Sequence, residues 1–154
     1  MYTQEITFDQ INSVWSSKLW PDRQSAIEPM SAMTWPESSL EPYDITIFDK
    51  YQPTFWGVFV NDELIGVNSG HRTTSTQYRS RGIWVDPEYR KYGYSQHLFY
   101  LTQKKATEEG CNMLWSIPRR TALRAYEKFG FTTVGNFFAT ETSEANVYVI
   151  KEIT

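Results

Sequence analysis

Ile83–Ser95 reads Ile-Trp-Val-Asp-Pro-Glu-Tyr-Arg-Lys-Tyr-Gly-Tyr-Ser, a strand that gives way to a basic, glycine-containing loop at the start of a helix. Pro87 ends the strand because proline lacks the amide donor that an interior ladder position needs. The first turn of a helix has backbone N–H groups without intrahelical acceptors and about half a positive charge from the peptide dipoles. Gly93 permits close backbone approach to a phosphate, and Arg90 and Lys91 add positive charge. The stretch is typical of an anion site, but ordinary basic surface turns share its composition.

Hydrophobic spacing and turn residues predict the elements around this stretch. Helices are predicted over Asp9–Leu19, with Asp9 as N-cap, over Ser95–Glu109 and over Thr121–Lys128. Strands are predicted over Tyr2–Thr7, Thr54–Val60, Leu64–Gly70, Tyr78–Val85, Met113–Ile117, Thr132–Ala139 and Asn146–Glu152. Sequential strands favour antiparallel pairing, and a crossover helix favours one parallel pair. We therefore expect an α/β (α+β) fold, a single domain over residues 1–154 with a mixed, mostly antiparallel central sheet of about six to seven strands flanked by helices.

The composition narrows the possible partners. Hydrophobic residues make up 40% of the chain and charged residues 21%, as in proteins that fold unaided. The formal charge of -3 lacks the basic excess that nucleic-acid binding requires, so no nucleic acid is expected. One cysteine and two histidines make a disulfide or a zinc site unexpected, and a reducing cytoplasm suits such a chain. No membrane association is expected, because no apolar run reaches spanning length and Met1–Glu5 does not resemble a signal peptide.

A second segment follows the first by about one helix and one strand. Arg119–Phe131 reads Arg-Arg-Thr-Ala-Leu-Arg-Ala-Tyr-Glu-Lys-Phe-Gly-Phe. Asp-Pro-x-x-Arg-x-x-Gly-x-Ser, a helix, a strand and then Ala-x-x-x-Tyr-x-Lys-x-Gly-Phe together resemble the GNAT superfamily of acyl-CoA-dependent N-acyltransferases. The two motifs lie within Ile83–Phe131, about a third of the chain, and the order of elements agrees over most of the rest.

The resemblance implies an N-acetyltransferase that transfers an acetyl group from acetyl-CoA to a primary amine of a small molecule or peptide, by direct attack and with no covalent enzyme intermediate. It implies that the CoA pyrophosphate is held mainly by backbone amides of the loop and that pantetheine lies in a cleft between two splayed strands. The CoA-binding residues implied in this way are Trp84, Val85, Arg90, Lys91, Tyr92, Gly93, Tyr94, Ser95 and Arg119.

Three positions depart from the family pattern. Lys91 stands where the family often has glycine, and Ser95 replaces the usual glycine or alanine. Neither change removes a backbone donor. Arg119 stands where the family often has an asparagine that contacts the cofactor, so that side-chain contact is in doubt, although an arginine there is able to reach a phosphate.

Two residues are candidates for proton transfer. Tyr126 matches the family's general-acid tyrosine, although an aromatic residue on the buried side of a helix often only packs the core. The amine must lose a proton before it attacks, and strand Tyr78–Val85 contains no carboxylate. The remaining bases are Asp44, Glu63, a chain of waters and His71, which titrates in the right range but lies at a strand end, where histidines are often simply exposed.

The irregular, acidic segment Trp20–Pro53 is expected to form much of the wall of the acceptor site. Its acidic residues would favour a cationic amine, although a solvated acidic loop explains them equally well; they are Glu28, Glu37, Glu41, Asp44 and Asp49.

Two other functions fit the same sequence. A catalytically silent CoA-binding module would keep the loop and need no general acid. A non-enzymatic ligand-binding domain would use the aromatic residues, 16% of the chain, to line a groove. Cys111 precedes a buried strand and is expected to be an inert packed thiol. A homodimer is compatible with the sequence, which does not determine the oligomeric state.

Overall fold

A computed structural model describes residues 1–34, 46–141, 143 and 145–153. A sheet of seven strands forms its centre, in the order β1-β2-β3-β4-β5-β7-β6. The strands are β1 Tyr2–Glu5, β2 Thr54–Val60, β3 Glu63–Arg72, β4 Gln77–Val85, β5 Met113–Ser116, β6 Thr132–Phe138 and β7 Asn146–Glu152. The α-helices are α1 Phe8–Val14, α2 Ile47–Lys50, α3 Tyr94–Glu108 and α4 Leu123–Phe129; a π-helix spans Trp15–Leu19 and 3₁₀ turns span Pro87–Tyr89 and Arg120–Ala122.

The sheet is mixed, as the order of elements predicts. The pair β4–β5 is parallel, and the other neighbouring pairs are antiparallel. Helix α3 makes the crossover between the two parallel strands. The predicted fold, a mostly antiparallel sheet flanked by helices, is therefore confirmed.

The start of α1 differs from the prediction. The N-cap is Thr7, not Asp9: the Thr7 hydroxyl accepts from the Gln10 backbone N–H at 3.1 Å, and the Gln10 side chain accepts from the Thr7 N–H at 2.9 Å. This reciprocal pair is a capping box, and it satisfies donors that Asp9, already inside the first turn, is not placed to reach. The last turns of the predicted helix widen into the π-helix Trp15–Leu19.

The two faces of the sheet carry different helices. Helices α3 and α4 cover one face, over a core that includes Tyr78, Phe99, Leu114 and Tyr126. Helix α1 and the π-helix cover the other face. Successive residues of a strand point to opposite faces, so β4 contributes side chains to both layers.

The segment predicted to be irregular, Trp20–Pro53, contains one short helix, α2. Residues 35–45, which include Glu37, Glu41 and Asp44, lie outside the described residues. In the part of the chain that the structure describes, no helix combines the length and hydrophobicity needed to cross a membrane.

Candidate active site

Strands β4 and β5 pair over a short length and then part. The register joins Gln77–Arg79 to Met113–Trp115, and no pairing between these strands follows. The Asp86 N–H donates to the Ile65 carbonyl of the other neighbour, β3, at 2.7 Å. Because backbone groups alternate in direction along an antiparallel strand, the Val85 N–H points towards the gap on the β5 side. Along one wall of the gap, β4 is therefore not paired with β5 beyond Arg79.

A bulge at Gly82 shapes this edge. The β3–β4 register shifts between Val67 and Ser69, and Gly82 has a φ of +76°. A Cβ there would lie 2.3 Å from the Trp15 indole nitrogen, which donates to the Gly82 carbonyl at 2.9 Å. The π-helix is thereby anchored against the bulge, and a side chain at position 82 would displace it.

The glycine loop lies at the start of α3, beyond β4. Gly93 is the N-cap, with a φ of +80°, and makes no side-chain cap bond; a Cβ on it would have no atom within 4 Å. The Arg90 Nε donates to the Val85 carbonyl at 2.8 Å, so this arginine closes the loop against the strand. Lys91 and Tyr92 are exposed, and the Tyr92 ring stacks on Tyr94.

These residues fit a phosphate. The helix begins without an acidic residue in its first turn, so its N–H groups and dipole are not already neutralised by a side chain. The space around Gly93 is open, which lets an anion approach the backbone closely.

A cavity of about 270 Å³ fills the place where β4 and β5 part. Its lining comes from both strands, from the segment after the π-helix and from the loop before β7. The lining residues on which the argument below depends are Arg23, Ser31, Arg79, Arg81, Ser116, Arg119 and Tyr126.

Tyr126 places a buried hydroxyl at this cavity. Its Oη accepts from the Ser116 Oγ at 3.3 Å, and the same Oγ is placed to donate to the Ser80 carbonyl at 2.6 Å. The proton of the Tyr126 hydroxyl is therefore not used in the bond with Ser116. Burial raises the pKa of Tyr126 to about 12, partly offset by these hydrogen bonds and by Arg79, so the hydroxyl keeps its proton at neutral pH.

The model of the acetyltransferase (GNAT) family matches residues 19–131. This chain belongs to that family. Its fold is similar to that of aminoglycoside 6'-N-acetyltransferase from Enterococcus faecium, with a TM-score of 0.68 at 16% identity over 100% of this chain and 98% of that one. The ribosomal-protein-S18-alanine N-acetyltransferase from Escherichia coli has a TM-score of 0.61 at 15% identity, over 99% and 94% of the two chains.

A third GNAT structure has coenzyme A bound. It is an aminoglycoside 6'-N-acetyltransferase complexed with coenzyme A, with a TM-score of 0.66 at 15% identity over 100% of this chain and 98% of that one. No curated protein matches the sequence. At these sequence identities the structural similarity is evidence for the fold alone.

His71 of this GNAT chain is buried, not exposed. It lies opposite Arg79 on the neighbouring strand, and the Ser31 N–H approaches its Nε2 at 3.4 Å. Ser31 lines the cavity, whereas the imidazole is behind it. Burial, with Arg79 and Arg81 nearby, holds the pKa of His71 well below 6.5, so the ring is neutral but weakly basic. Its role as general base stays a prediction.

The other predicted residues are less central to the cavity. Arg119 lines it, but its guanidinium donates to the Leu19 carbonyl, and its contact with CoA stays a prediction. Glu63 is exposed at the β2–β3 turn and is not part of the lining. Asp44 lies outside the described residues. Among the residues that are described, no group of three or more potential ligands could hold a metal ion.

Sequence reasoning missed three residues of this GNAT site: Ser116, Arg79 and Arg81. Arginine alternates with serine in Arg79-Ser80-Arg81, inside a strand that is otherwise apolar or small. Two cations at alternate positions of a buried strand are unusual, because a buried charge requires a partner. This pattern could have marked Arg79 and Arg81 as candidate site residues.

Proposed function

We propose that this chain is an N-acetyltransferase that transfers the acetyl group of acetyl-CoA to a primary amine of a small molecule or peptide by direct attack. The observation that carries the proposal is the gap between β4 and β5, with an open glycine loop beyond the end of β4 and a protonated tyrosine in the lining of the cavity. A long cosubstrate would lie along this gap, with its anionic end at the loop and its reactive end at the cavity. The proposal treats residues 1–154 as one domain in a cytoplasmic protein.

The chain's own groups would hold the cosubstrate in this gap. The backbone of Arg90–Ser95 would bind the pyrophosphate, and the Val85 N–H would bond pantetheine. Trp84, Lys91, Tyr92, Tyr94 and Arg119 complete the proposed contacts. When bound, acetyl-CoA supplies a thioester whose carbonyl carbon an amine is able to attack. The similar enzyme that is complexed with coenzyme A supports this assignment.

Tyr126 would donate its proton to the departing sulfur. A thiol with a pKa of about 8.5 leaves as a thiolate, and a hydroxyl that keeps its proton at neutral pH can supply one as charge develops. The Ser116 Oγ, 3.3 Å away, fixes the hydroxyl at the wall of the cavity. The proton would therefore move from Tyr126 Oη.

Positive charge around the cavity would help to keep the amine neutral. An amine with a pKa of about 10.4 is neutral in only about one molecule in a thousand near pH 7.4. Arg79, Arg81 and Arg23 line the cavity, and nearby like charges lower the pKa of an ammonium group. Water or His71 would then accept the proton of an ammonium group that these charges have made a stronger acid.

The proposed reaction needs no covalent enzyme intermediate. The sole cysteine, Cys111, is buried in the core between the sheet and α3, and it is not a lining residue of the cavity. Burial raises the pKa of its thiol to about 11, which suppresses the nucleophilic thiolate.

The test measures CoA binding by calorimetry and thiol release from acetyl-CoA in the presence of pooled amines. The expected result is saturable CoA binding and amine-dependent release. CoA binding without release for any amine would indicate a silent CoA-binding module, and the absence of CoA binding would refute the proposal altogether. Sedimentation of the same sample would test whether the chain forms a homodimer, which the sequence leaves open.

A further inference from the structure

Two arginines of β4 are buried on the sheet face opposite α3. Arg79 is 9% exposed and Arg81 is 4% exposed, and both line the cavity. Ser80, between them, points to the other face, where the Asn68 side chain donates to it at 3.0 Å. Burial lowers the pKa of Arg79 to about 10 and that of Arg81 to about 9, which leaves both charged at neutral pH.

Arg81 has partners that explain its position. Its Nη1 donates to the Glu28 carbonyl at 2.7 Å, and its guanidinium lies 4.9 Å from the Trp15 ring and 5.5 Å from the Trp20 ring. These contacts fix the side chain and orient it along the cavity wall.

Arg79 lacks such partners. Its Nε and Nη1 are buried and have no hydrogen-bond acceptor among the residues that the structure describes. Its one recorded ring contact is with Trp115, at 5.2 Å. Burying a cation without a hydrogen-bonded partner is costly, so a buried, unpaired guanidinium at a cavity indicates that a ligand supplies the acceptor.

The chain's described acidic groups do not supply it. In the described residues the one ion pair joins Arg72 to Glu109, away from the cavity. Glu141 lines the cavity, but its carboxylate accepts from the Gln24 and Ser25 N–H groups and from the Ser25 hydroxyl. Glu28 raises the pKa of Arg81 and contacts it through its backbone carbonyl.

CoA phosphates bound at the glycine loop would not reach Arg79 either. Arg79 precedes Val85 by six residues, about 20 Å along an extended strand, and the glycine loop begins beyond Val85. Arg79 instead lies near Tyr126, which lines the same cavity and shifts its pKa. An anion bound by Arg79 would therefore belong to the acceptor.

Building on the proposed function, we propose that the acceptor is a small amino acid with a free carboxylate, and that Arg79 binds this carboxylate. A guanidinium is planar and offers two parallel N–H donors to a carboxylate, which positions the amine as well as holding it. The cavity, about 270 Å³, suits a small acceptor. The arginines of the described lining favour an anionic group on the acceptor. The cationic acceptor that the acidic segment suggests stays a prediction, because Glu37, Glu41 and Asp44 lie outside the described residues.

The test compares amino acids with their amides and with their decarboxylated amines as acceptors in the thiol-release assay. We expect kcat/KM for the carboxylate form to exceed that for its amide on the order of 10²-fold. Arg79→Met should reduce this preference by raising KM for the amino acid far more than KM for its amide, and should leave KM for acetyl-CoA unchanged. Arg79→Lys should restore part of the preference. Lys128→Met removes an exposed cation from α4 and should behave as the wild type.

A thermal readout separates binding from a structural role. Arg79→Met should melt at the same temperature as the ligand-free wild type or higher, because it removes an unpaired buried charge. A fall of several degrees would overturn the proposal by showing that the chain itself satisfies Arg79, for instance through an acidic side chain of residues 35–45. Equal kcat/KM values for the amino acid, its amide and its decarboxylated amine would refute the proposed carboxylate contact, while acetyl transfer itself would remain supported. CoA binding without release for any amine would refute both proposals.

Discussion

Replacing Tyr126 with phenylalanine removes one hydroxyl and keeps the ring. The ring packs against Phe99 with centroids 4.7 Å apart and against Phe131 at 5.2 Å, and both contacts remain in the variant. The lost hydrogen bond to Ser116 is long, 3.3 Å, and Ser116 keeps its bond to the Ser80 carbonyl. The free energy of unfolding should therefore fall by about 1 kcal/mol, a shift in Tm of about 2–4 °C.

The effect on catalysis should be larger. If the hydroxyl protonates the departing thiolate, kcat should fall on the order of 10²-fold, about 2.7 kcal/mol in the barrier, with CoA affinity unchanged. Stopped-flow single-turnover measurement isolates the chemical step from product release. Tyr78→Phe is a matched control, because that buried hydroxyl bonds Thr54 at 3.1 Å and is not part of the cavity lining. An unaltered single-turnover rate in Tyr126→Phe would remove the residue from the mechanism.

Three further predictions concern other residues. Gly93→Glu should abolish CoA binding measured by calorimetry. Gly110→Glu is the control: Gly110 lies at the other end of α3 with a similar φ of +83° and equally open space, so this variant should lose comparable stability and bind CoA normally. Equal CoA affinities in the two variants would place the phosphates elsewhere. His71 has a folded pKa below its unfolded value, so it should contribute stability that is present above about pH 6.5 and lost as the pH falls below it. His71→Gln should flatten this acid limb in urea unfolding and His97→Gln should not; a limb that persists in His71→Gln would contradict the assignment. Cys111→Ala should have a kcat within about two-fold of the wild-type value. Loss of acetyl transfer in a folded Cys111→Ala variant would instead indicate a covalent intermediate on this cysteine.

The order of elements could be predicted because local signals in the sequence agree with one another. Gly93 and Gly130 mark the ends of helices and have φ values of +80° and +112° in the structure. The β2–β3 turn has Asn61 and Asp62 at positive φ, the conformation of a tight two-residue hairpin. Each of these turn and cap residues sets the backbone conformation of only a few neighbouring residues. The predicted ends of the elements therefore do not depend on contacts with distant parts of the chain.

The acceptor side could not be predicted, because its geometry depends on contacts between distant segments. Strand periodicity places Arg81 and Ser80 on opposite faces, but the sequence does not state what covers each face. That depends on distant contacts such as the Trp15 indole, which lies against Gly82, 67 positions away. His71 is buried because Ser31 covers it, from a segment without regular structure. Two features could have been predicted from the sequence and were missed: the capping box at Thr7 and the alternate arginines of β4.

The alternation of β4 has an evolutionary consequence. Residues 79 and 81 face one layer, while Ser80 joins Ser116 and Tyr126 in the other. Under the proposed roles, substitutions at positions 79 and 81 would change the charge presented to the acceptor and leave the side chains of the other layer in place. A library randomised at these two positions should therefore yield variants that differ in acceptor, and their single-turnover rates should show how far Arg79 also sets the pKa of Tyr126.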